Sequence, residues 1–309
     1  MSKRLLFIIV CSILHYSGFF SLFNKIVKKN PKSGLIILTF HNITNFEMFN
    51  NQINYLRKRF EIISFSEAVD KLKEGIDLQG KLVLKFDDGY KSNRFVAEKI
   101  TKANIPFIIY LSTHYIENQE LFWWDKIRIL SKKNKIMLKR ERKILQEIKN
   151  YPQEKREEKI NEIIPLYFKI DDAKEILEKN KSGKEPLSWK DIEKLREYPV
   201  EFGAHSHQHL IITRTCSEAL KKDLLLNKKL IEDKTGEECK HFAAPNAYYG
   251  EREINILKEL NFISAVGKYD TNTRSQNLYD MKTIGISDND TIPIIEAKIS
   301  GFWYLLKAI

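Results

Sequence analysis

The chain has 309 residues, 43% of them hydrophobic and 30% charged, which is enough for one substantial core and allows one domain or two. The formal net charge is +11, a value typical either of a lysine-rich surface or of attraction to an anionic lipid or glycan. Because no nucleic-acid-binding motif accompanies the charge, and the three cysteines include no Cys-x-x-Cys pair, neither a nucleic-acid partner nor a structural zinc cluster is expected.

The segment 1–32 combines an apolar run with basic flanks. Lys3 and Arg4 precede the apolar stretch 5–23, which approaches the length that spans a bilayer. Four lysines then follow it, namely Lys25, Lys28, Lys29 and Lys32. We interpret residues 1–32 as a membrane-associating segment that lies on or through the bilayer, which predicts a protein at a membrane or in the cell envelope. The sequence leaves two alternatives open, a secretory signal and a helix packed on the protein's own core.

Strands and helices alternate from residue 33 onward. Short apolar runs predict strands at 35–40, 82–86 and 106–111, and the first of these ends at His41. Apolar residues at helical spacing predict helices through 49–60, 66–72 and 96–103. Ser66 is placed to cap the second of these helices. This alternation is typical of parallel β-α-β units.

The pattern changes between about residues 125 and 184. This stretch is rich in Lys and Glu, has a helical period, and is interrupted by Pro152, Pro165 and Gly183. Its apolar face is formed by isoleucines, which are Ile144, Ile148, Ile160, Ile163 and Ile164. We interpret the stretch as a helical insertion that packs against the rest of the protein, with its charges on a solvated face.

Strand-helix alternation then resumes. Strands are predicted at 200–204, 241–244 and 262–266, and helices at 217–234 and 251–260. The whole pattern predicts an α/β fold, a distorted (β/α) barrel formed by residues 33–309 with the helical insertion inside it.

Acidic residues and histidines follow two of the predicted strands. Asp87 and Asp88 come directly after the strand 82–86, where two neighbouring carboxylates resist joint ionisation unless a cation is present. His205 and His209 follow the strand 200–204. The carboxyl ends of barrel strands meet at one rim, so these groups are expected to lie together. One carboxylate and two imidazoles form a three-ligand metal set that leaves a position open for water or substrate.

These residues carry a family resemblance. Phe86-Asp87-Asp88-Gly89 resembles the first motif of the polysaccharide deacetylases, the fourth family of carbohydrate esterases, which share the NodB homology domain. His205-Ser206-His207-Gln208-His209 resembles their second motif, His-Ser/Thr-x-x-His. Phe242-Ala243-Ala244-Pro245-Asn246 resembles a variant of their third motif, and the likeness extends from about Leu35 to about Ile286. The resemblance implies the same distorted barrel and a metal-dependent deacetylase.

The resemblance also implies roles for individual residues. Asp88, His205 and His209 would bind a divalent metal, and Asp87 would be the general base. We interpret the metal as Zn²⁺, with Co²⁺ or another divalent ion as alternatives. Five residues are expected to contact the substrate, and they are Tyr90, Pro245, Asn246, Trp123 and Trp124. Aromatic residues are included because the face of an aromatic ring suits a sugar ring.

The sequence departs from the family pattern at two places. The family usually supplies a general acid from a late Leu-x-x-His motif, but no histidine follows His241. We therefore expect His41, in an early Phe-His motif at the end of the first strand, to be the acid. Many members also have an arginine two residues before Pro245, where this chain has Ala243, so another group would have to orient the base.

The resulting hypothesis is a membrane-associated hydrolase of carbon-nitrogen bonds that removes acetyl groups from N-acetylated sugars of a polysaccharide or glycolipid. Its partners would be the carbohydrate substrate and a membrane surface, and the sequence gives no oligomeric state. Two alternatives remain open, a carbohydrate O-acetyl esterase and a degenerate glycan-binding or assembly protein. The intact ligand set favours an enzyme, whereas the missing arginine and late histidine favour the degenerate protein.

Overall fold

A computed structural model describes residues 3–20, 34–100, 104–151, 153–269 and 277–303. Within these ranges the chain forms a single eight-stranded sheet. The strands are β1 (Ile36–Phe40), β2 (Glu61–Ile62), β3 (Lys81–Phe86), β4 (Phe107–Leu111), β5 (Val200–Ala204), β6 (His241–Ala243), β7 (Ser264–Tyr269) and β8 (Met281–Gly285).

The strands close into a ring. Their order is β1-β8-β7-β6-β5-β4-β3-β2, and β1 also pairs with β3, so seven strands complete a barrel and β2 flanks the start of β3. All these pairings are parallel, and Phe40 of β1 stands beside Phe86 of β3. Parallel closure brings the carboxyl ends to one rim. The distorted (β/α) barrel predicted from the sequence is confirmed.

Helices connect most of the strands and surround the ring. In the described ranges they are α1 (Lys3–Tyr16), α2 (Phe46–Arg57), α3 (Phe65–Lys73), α4 (Ser92–Ile100), α5 (Thr113–Asn118), α6 (Trp123–Ser131), α7 (Lys135–Asn150), α8 (Gln153–Ile163), α9 (Ile170–Asn180), α10 (Trp189–Leu195), α11 (Ser217–Thr235), α12 (Glu251–Glu259) and α13 (Ile292–Ile299).

Successive residues of a strand pack in two different cores, because side chains alternate across a sheet. The outer core lies between the strands and the helices and includes Phe40 and Phe86, whose ring centroids are 5.4 Å apart. The inner core fills the barrel with residues such as Val83 and Tyr110. Lys85 is two residues beyond Val83 and therefore points into the barrel as well, where it is 2% exposed.

Helix α3 closes the amino-terminal end of the barrel. Its residues Phe65 and Val69 belong to the inner core. The backbone N–H of Ser66 donates to the Glu201 carboxylate near the start of β5, and the Ser66 hydroxyl contacts Nε2 of His241 at 3.0 Å. The opposite, carboxyl-terminal end is left open for a site.

The predicted helical insertion lies between β4 and β5. Helices α6 to α9 share an apolar cluster that includes Ile127, Met137, Ile144, Ile148 and Ile160. The interruption expected at Pro165 is a single 3₁₀ turn over Ile164–Leu166, and Pro152 lies outside the described residues. The insertion therefore has a core of its own beside the barrel rim.

The described part of the amino-terminal segment is α1, which packs on α13. Cys11 and Phe20 are buried in a cluster with Ala297, and His15 pairs with Glu296. The opposite face of α1 exposes apolar side chains, namely Ile9, Ile13 and Tyr16. Among the described helices, α1 included, none is long and apolar enough to cross a bilayer. The four lysines between residues 25 and 32 lie outside the described residues.

Several element boundaries differ from the sequence-based expectations. Helix α2 begins at Phe46, earlier than predicted, because the Asn45 side chain caps it by accepting the N–H of Met48. Strand β7 begins at Ser264, two residues later than predicted. Strand β8 and helix α13 were not predicted. The polar positions Lys282 and Thr283 interrupt the apolar run on which a strand prediction rests.

Candidate metal centre and active site

A sharp turn after β3 separates the two neighbouring carboxylates. The Asp87 N–H still donates to the Phe40 carbonyl and so continues the sheet. Asp88 and Gly89 then adopt positive φ angles of 75° and 82°. A Cβ at Gly89 would lie 3.0 Å from the Leu111 side chain, so the turn needs glycine on both counts. Asp87 therefore stays with the strand while Asp88 turns toward the neighbouring loop.

The loop after β5 carries the two predicted histidine ligands. Two of its residues are in the left-handed region, Ser206 with φ of 64° and His209 with φ of 54°. The Asp223 carboxylate on α11 holds this loop by accepting the N–H of His207 and of Gln208, both at 2.9 Å. It also accepts the Ser206 hydroxyl at 2.6 Å. Strained backbone that several bonds fix in place is typical of functional sites.

His205 is oriented from both sides. Its backbone N–H donates to Oδ1 of Asn227, one turn beyond Asp223 on α11. Its Nδ1 lies 2.8 Å from the Ala243 carbonyl, which can only accept, so Nδ1 carries the proton and Nε2 keeps its lone pair. A carbonyl that fixes the tautomer in this way is a common feature of metal-binding histidines.

Asp88, His205 and His209 converge on one point. Nε2 of His205 is 3.4 Å and Nε2 of His209 is 3.2 Å from Oδ1 of Asp88, and all three residues are buried. Donor atoms about 2 Å from a shared tetrahedral ion lie roughly 3.3 Å apart. The separations and the donor types therefore fit a divalent metal held by these three residues.

The charge balance favours an ionised Asp88. Burial opposes ionisation, but the neighbouring imidazole groups of His205 and His209 outweigh it and hold the pKa of Asp88 well below its usual range. Burial also lowers the pKa of His209, so its imidazole is neutral at ordinary pH. A carboxylate anion with a neutral imidazole is the protonation state that a metal requires.

Asp87 is paired with an unexpected cation. Oδ2 of Asp87 lies 2.6 Å from Nζ of Lys85, and both side chains are almost fully buried. Burial opposes ionisation of Asp87, but Lys85 and then His205 outweigh it, so the pKa of Asp87 lies below its usual value. Oδ1 of Asp87 is buried with no hydrogen-bond partner in the described part of the chain. Lys85 thus holds Oδ2 of Asp87, and Oδ1 is left available to accept a hydrogen bond.

Lys85 was missed in the sequence analysis. It lies within the apolar run 82–86, which by itself predicts a buried strand. A lysine at such a position needs a partner, and a residue two places along a strand points the same way. That spacing identifies Asp87, so the pair could have been found. Asp87 is thus paired with a cation in a chain that has Ala243 at the position where an arginine is expected.

His41 lies at the rim, where the sequence analysis placed it. Its carbonyl accepts the Nδ2 amide of Asn93 at 3.1 Å, which fixes the backbone after β1. The side chain is exposed and lines the same cleft as Asp87 and Asp88. Its positive form would lower the pKa of both carboxylates, so the imidazole is within electrostatic reach of the site.

A cleft of about 770 Å³ contains these groups. Trp124 lies beside the metal site, with its ring centroid 4.6 Å from that of His209. Its Nε1 donates to the Tyr90 hydroxyl at 2.9 Å, and that hydroxyl donates to Asp125 at 2.6 Å. Trp123 also lines the cleft but is 6% exposed and packs in the insertion core. Tyr90 and the two tryptophans therefore form the wall where the barrel meets the insertion.

The third motif contributes backbone and one side chain. Asn246 and Ala247 have positive φ angles of 59° and 66° and line the cleft. Pro245, which was expected to contact the substrate, is buried and is not among the residues that line the cleft. His207, between the two predicted ligands, points away and contacts the Thr113 hydroxyl through Nδ1 at 2.8 Å. Burial lowers the pKa of His207 to about 4.

Comparisons with known proteins identify the family of the chain. The sequence pattern of the family described as polysaccharide deacetylase matches residues 76–264, which contain the Asp87-Asp88 turn and the histidine loop. A search of curated proteins by sequence gives no significant match.

Solved structures share the fold at low sequence identity. IcaB from Ammonifex degensii aligns with a TM-score of 0.60 at 16% identity, covering 87% of this chain and 97% of that one. The Streptococcus pyogenes deacetylase PplD, solved with acetate, gives 0.59 at 12% identity, covering 86% and 97%. The BpsB deacetylase domain from Bordetella bronchiseptica gives 0.56 at 13%, covering 84% and 98%. At these identities the alignments establish a shared fold.

Proposed function

Because the chain belongs to the polysaccharide deacetylase family, we propose that it is a metal-dependent hydrolase that removes acetyl groups from N-acetylated sugars of a polysaccharide or glycolipid. The observation that carries this proposal is the arrangement of the rim. Three buried residues, Asp88, His205 and His209, form a metal-ligand set, and Asp87 presents an unpaired oxygen in the same cleft.

The metal is proposed to be Zn²⁺. Two imidazoles and one carboxylate are a donor set that zinc uses in hydrolytic sites, where three protein ligands leave a further position open. Co²⁺ or another divalent ion suits the same donors. When bound, the ion would lower the pKa of water and polarise the acetyl carbonyl.

Asp87 is proposed as the general base. Its Oδ1 has no hydrogen-bond partner among the described residues, so it is available to accept a proton from water. Lys85 holds Oδ2 and keeps the carboxylate ionised. A base that is ionised and fixed in one orientation is ready before the substrate arrives.

His41 is proposed as the general acid. Cleavage of an amide requires a proton for the departing amine, and histidine is the side chain that most often serves as a general acid. His41 lines the cleft from the β1 side, whereas the metal ligands enter from β3 and β5. The substrate would then lie between the acid and the metal.

Sugar contacts are proposed for the remaining predicted residues that line the cleft. Trp124 offers its ring beside His209, where stacking on a sugar face suits an aromatic side chain. Asn246 and Trp123 line the same cleft. The Tyr90 hydroxyl is hydrogen-bonded to Asp125 and Trp124, so Tyr90 would act by holding Trp124 in place. Pro245 is buried and would act by shaping its loop.

The protein is further proposed to associate with a membrane surface through α1. The exposed apolar side chains Ile9, Ile13 and Tyr16 recur at helical spacing on the face opposite α13. An apolar face of this kind suits the interface of a bilayer. This arrangement supports a helix that lies on the membrane while packing on the barrel.

Acetate release tests the proposed function. We expect the zinc-loaded protein to release acetate from N-acetylated oligosaccharides, and the Asp87→Asn variant to lose activity by about a hundredfold or more, the scale of general-base catalysis. A matched panel of O-acetylated oligosaccharides is the comparison. Release from esters alone would identify an O-acetyl esterase, and binding without release from either panel would identify a glycan-binding protein.

A further inference from the structure

Helix α7 of the insertion turns one face toward the cleft. The residues on this face recur at helical spacing, and they are Glu141, Arg142, Leu145, Gln146 and Lys149. Met137, Ile144 and Ile148 lie on another side of the helix and are buried in the insertion core. The core therefore fixes the rotation of α7, and that rotation directs two cations at the cleft.

Three more cations of the insertion line the same wall. Together with Arg142 and Lys149, they are Arg128 from α6, Arg156 from α8 and Lys184 after α9. We call these five residues the basic wall. The basic wall and the metal-ligand set line the same cleft, and the ring of Trp124 in that cleft lies next to His209.

Part of this charge has no counterion. Asp125 pairs with Lys184 at 3.1 Å and lies 3.8 Å from Arg128. In contrast, no carboxylate in the described ranges lies within ion-pair distance of Arg142 or Lys149. Burial lowers the pKa of Lys149, and the neighbouring guanidinium groups of Arg156 and Arg128 lower it further. Cations that repel one another in this way cost free energy, which a bound anion would offset.

We propose that the basic wall is an anion subsite, and that the natural substrate is an acetylated glycan with a phosphate or carboxylate group close to the sugar that is deacetylated. This inference rests on the proposed function and narrows its substrate class. The wall lines a concave cleft that also contains the metal ligands, whereas a membrane needs a convex or flat surface. Planar guanidinium groups in such a cleft suit both phosphate and carboxylate.

Binding to three probes tests the subsite without turnover. The zinc-loaded Asp87→Asn protein would be titrated by calorimetry with a neutral N-acetylglucosamine oligomer, its phosphorylated form, and an oligomer that alternates N-acetylglucosamine with glucuronic acid. We expect at least one anionic probe to bind about tenfold more tightly than the neutral one at low salt, equivalent to about 1.4 kcal/mol. High salt should reduce the difference. The anionic probe that binds more tightly shows whether the charged group of the substrate is a phosphate or a carboxylate.

Paired variants locate the effect. Arg142→Gln with Lys149→Gln should bring the affinity for the anionic probe down to that for the neutral probe. Lys139→Gln with Lys143→Gln removes the same charge from α7 at positions outside the cleft and should leave the preference intact. Equal affinity for charged and neutral probes, no binding of either anionic probe, or a preference that survives in the first double variant would overturn the subsite.

Two further results separate this inference from others. Anionic lipid vesicles that compete with the charged probe for the basic wall would overturn the glycan assignment and identify a membrane surface. Acetate release by the wild-type protein with no charge preference would overturn the subsite and leave the proposed function standing. A preference for the charged probes in a protein that releases no acetate would overturn the proposed function and leave the anion subsite standing.

Discussion

Two adjacent carboxylates, Asp87 and Asp88, have different neighbours and are therefore proposed to have different roles. Asp88 lies between His205 and His209, whereas Asp87 is bonded to Lys85 inside the barrel. The sequence could predict that Asp88, His205 and His209 lie together, since their residue types and strand-end positions require no other information. The alternation of β3 could also have predicted the Lys85–Asp87 pair. Because Ala243 stands where an arginine is expected, the pairing with Lys85 is what keeps Asp87, the proposed base, ionised and oriented.

Replacing Lys85 should alter the pH profile. In Lys85→Met, Asp87 stays buried without its cation, so its pKa should rise. Activity requires the ionised base and is lost as the pH falls through that pKa, so the acid limb of kcat/KM should move to higher pH. A pH-rate series with metal analysis measures this. An unchanged acid limb at full metal content would show that Lys85 does not act through Asp87.

The same substitution should also cost stability, and a double variant separates the two effects. Removing one partner of a buried ion pair typically costs about 3–5 kcal/mol. Lys85→Met with Asp87→Asn removes both charges, so it should recover most of that stability while remaining inactive. Urea unfolding of the two variants gives the comparison.

Substitution of His41 should affect amides more than activated esters. His41→Ala should keep the metal and greatly slow hydrolysis of an N-acetyl amide, whose amine leaves poorly without a proton. A nitrophenyl acetate should be spared, because its phenolate leaves unaided. Rates on both substrates with matched metal content test this. Equal losses on the two substrates would remove His41 from the role of general acid.

At the scale of elements, the sequence predicts most of the barrel because each buried strand is a short apolar run between turns. It does not predict β8, where Thr283 faces the interior and pairs with the Thr39 hydroxyl of β1. A polar pair across two neighbouring strands cannot be recognised until the strands are known to be adjacent. The face that α7 turns to the cleft was missed for a similar reason, since its cations resemble an ordinary solvated face until the barrel is beside them.

Strand β6 begins with a histidine whose role is structural. His241 is 3% exposed, and its ring nitrogens contact the hydroxyls of Ser66 and Ser264. Burial lowers its pKa to about 3. The unfolded chain takes up a proton below about pH 6.5, but the folded chain does not until the pH approaches its own pKa. Stability should therefore fall as the pH drops from about 6.5 toward 3.

The variant His241→Asn removes this titration. At pH 7.5 it loses two packed contacts and should be less stable than the wild type. Between about pH 6.5 and 4, its free energy of unfolding should decline less steeply, because the wild type loses up to about 1.4 kcal/mol per pH unit from this histidine. Urea unfolding at several pH values measures both slopes. Parallel slopes would show that His241 is not held in its neutral form.

At the scale of the whole molecule, α1 faces both the barrel and the surface. Its buried side contacts α13 through Cys11, and its exposed side carries Ile9 and Ile13, which are 41% and 62% exposed. The sequence could not decide between an anchor and a helix packed on the core, because both readings need an apolar run. In the structure one face of α1 packs on α13 and the other face is exposed.

Charges on the exposed face should separate membrane binding from folding. Ile9→Glu with Ile13→Glu should reduce sedimentation of the protein with anionic lipid vesicles and leave the melting temperature nearly unchanged, because both side chains are already solvated. Cys11→Glu, on the buried face, should instead lower the melting temperature. Vesicle binding that is the same in the wild type and the first variant would contradict the membrane role of α1.

Reconstitution of the metal-free protein tests the central claim most directly. Chelated protein would be titrated with Zn²⁺ while bound metal and acetate release from an N-acetylated oligosaccharide are measured together. Activity should rise in proportion to bound zinc and reach its maximum at one ion per chain. His205→Ala should bind little zinc and stay inactive, whereas His207→Ala, whose ring points to Thr113, should follow the wild type. Full activity in the chelated protein, or a His205→Ala variant that binds zinc as the wild type does, would contradict the account.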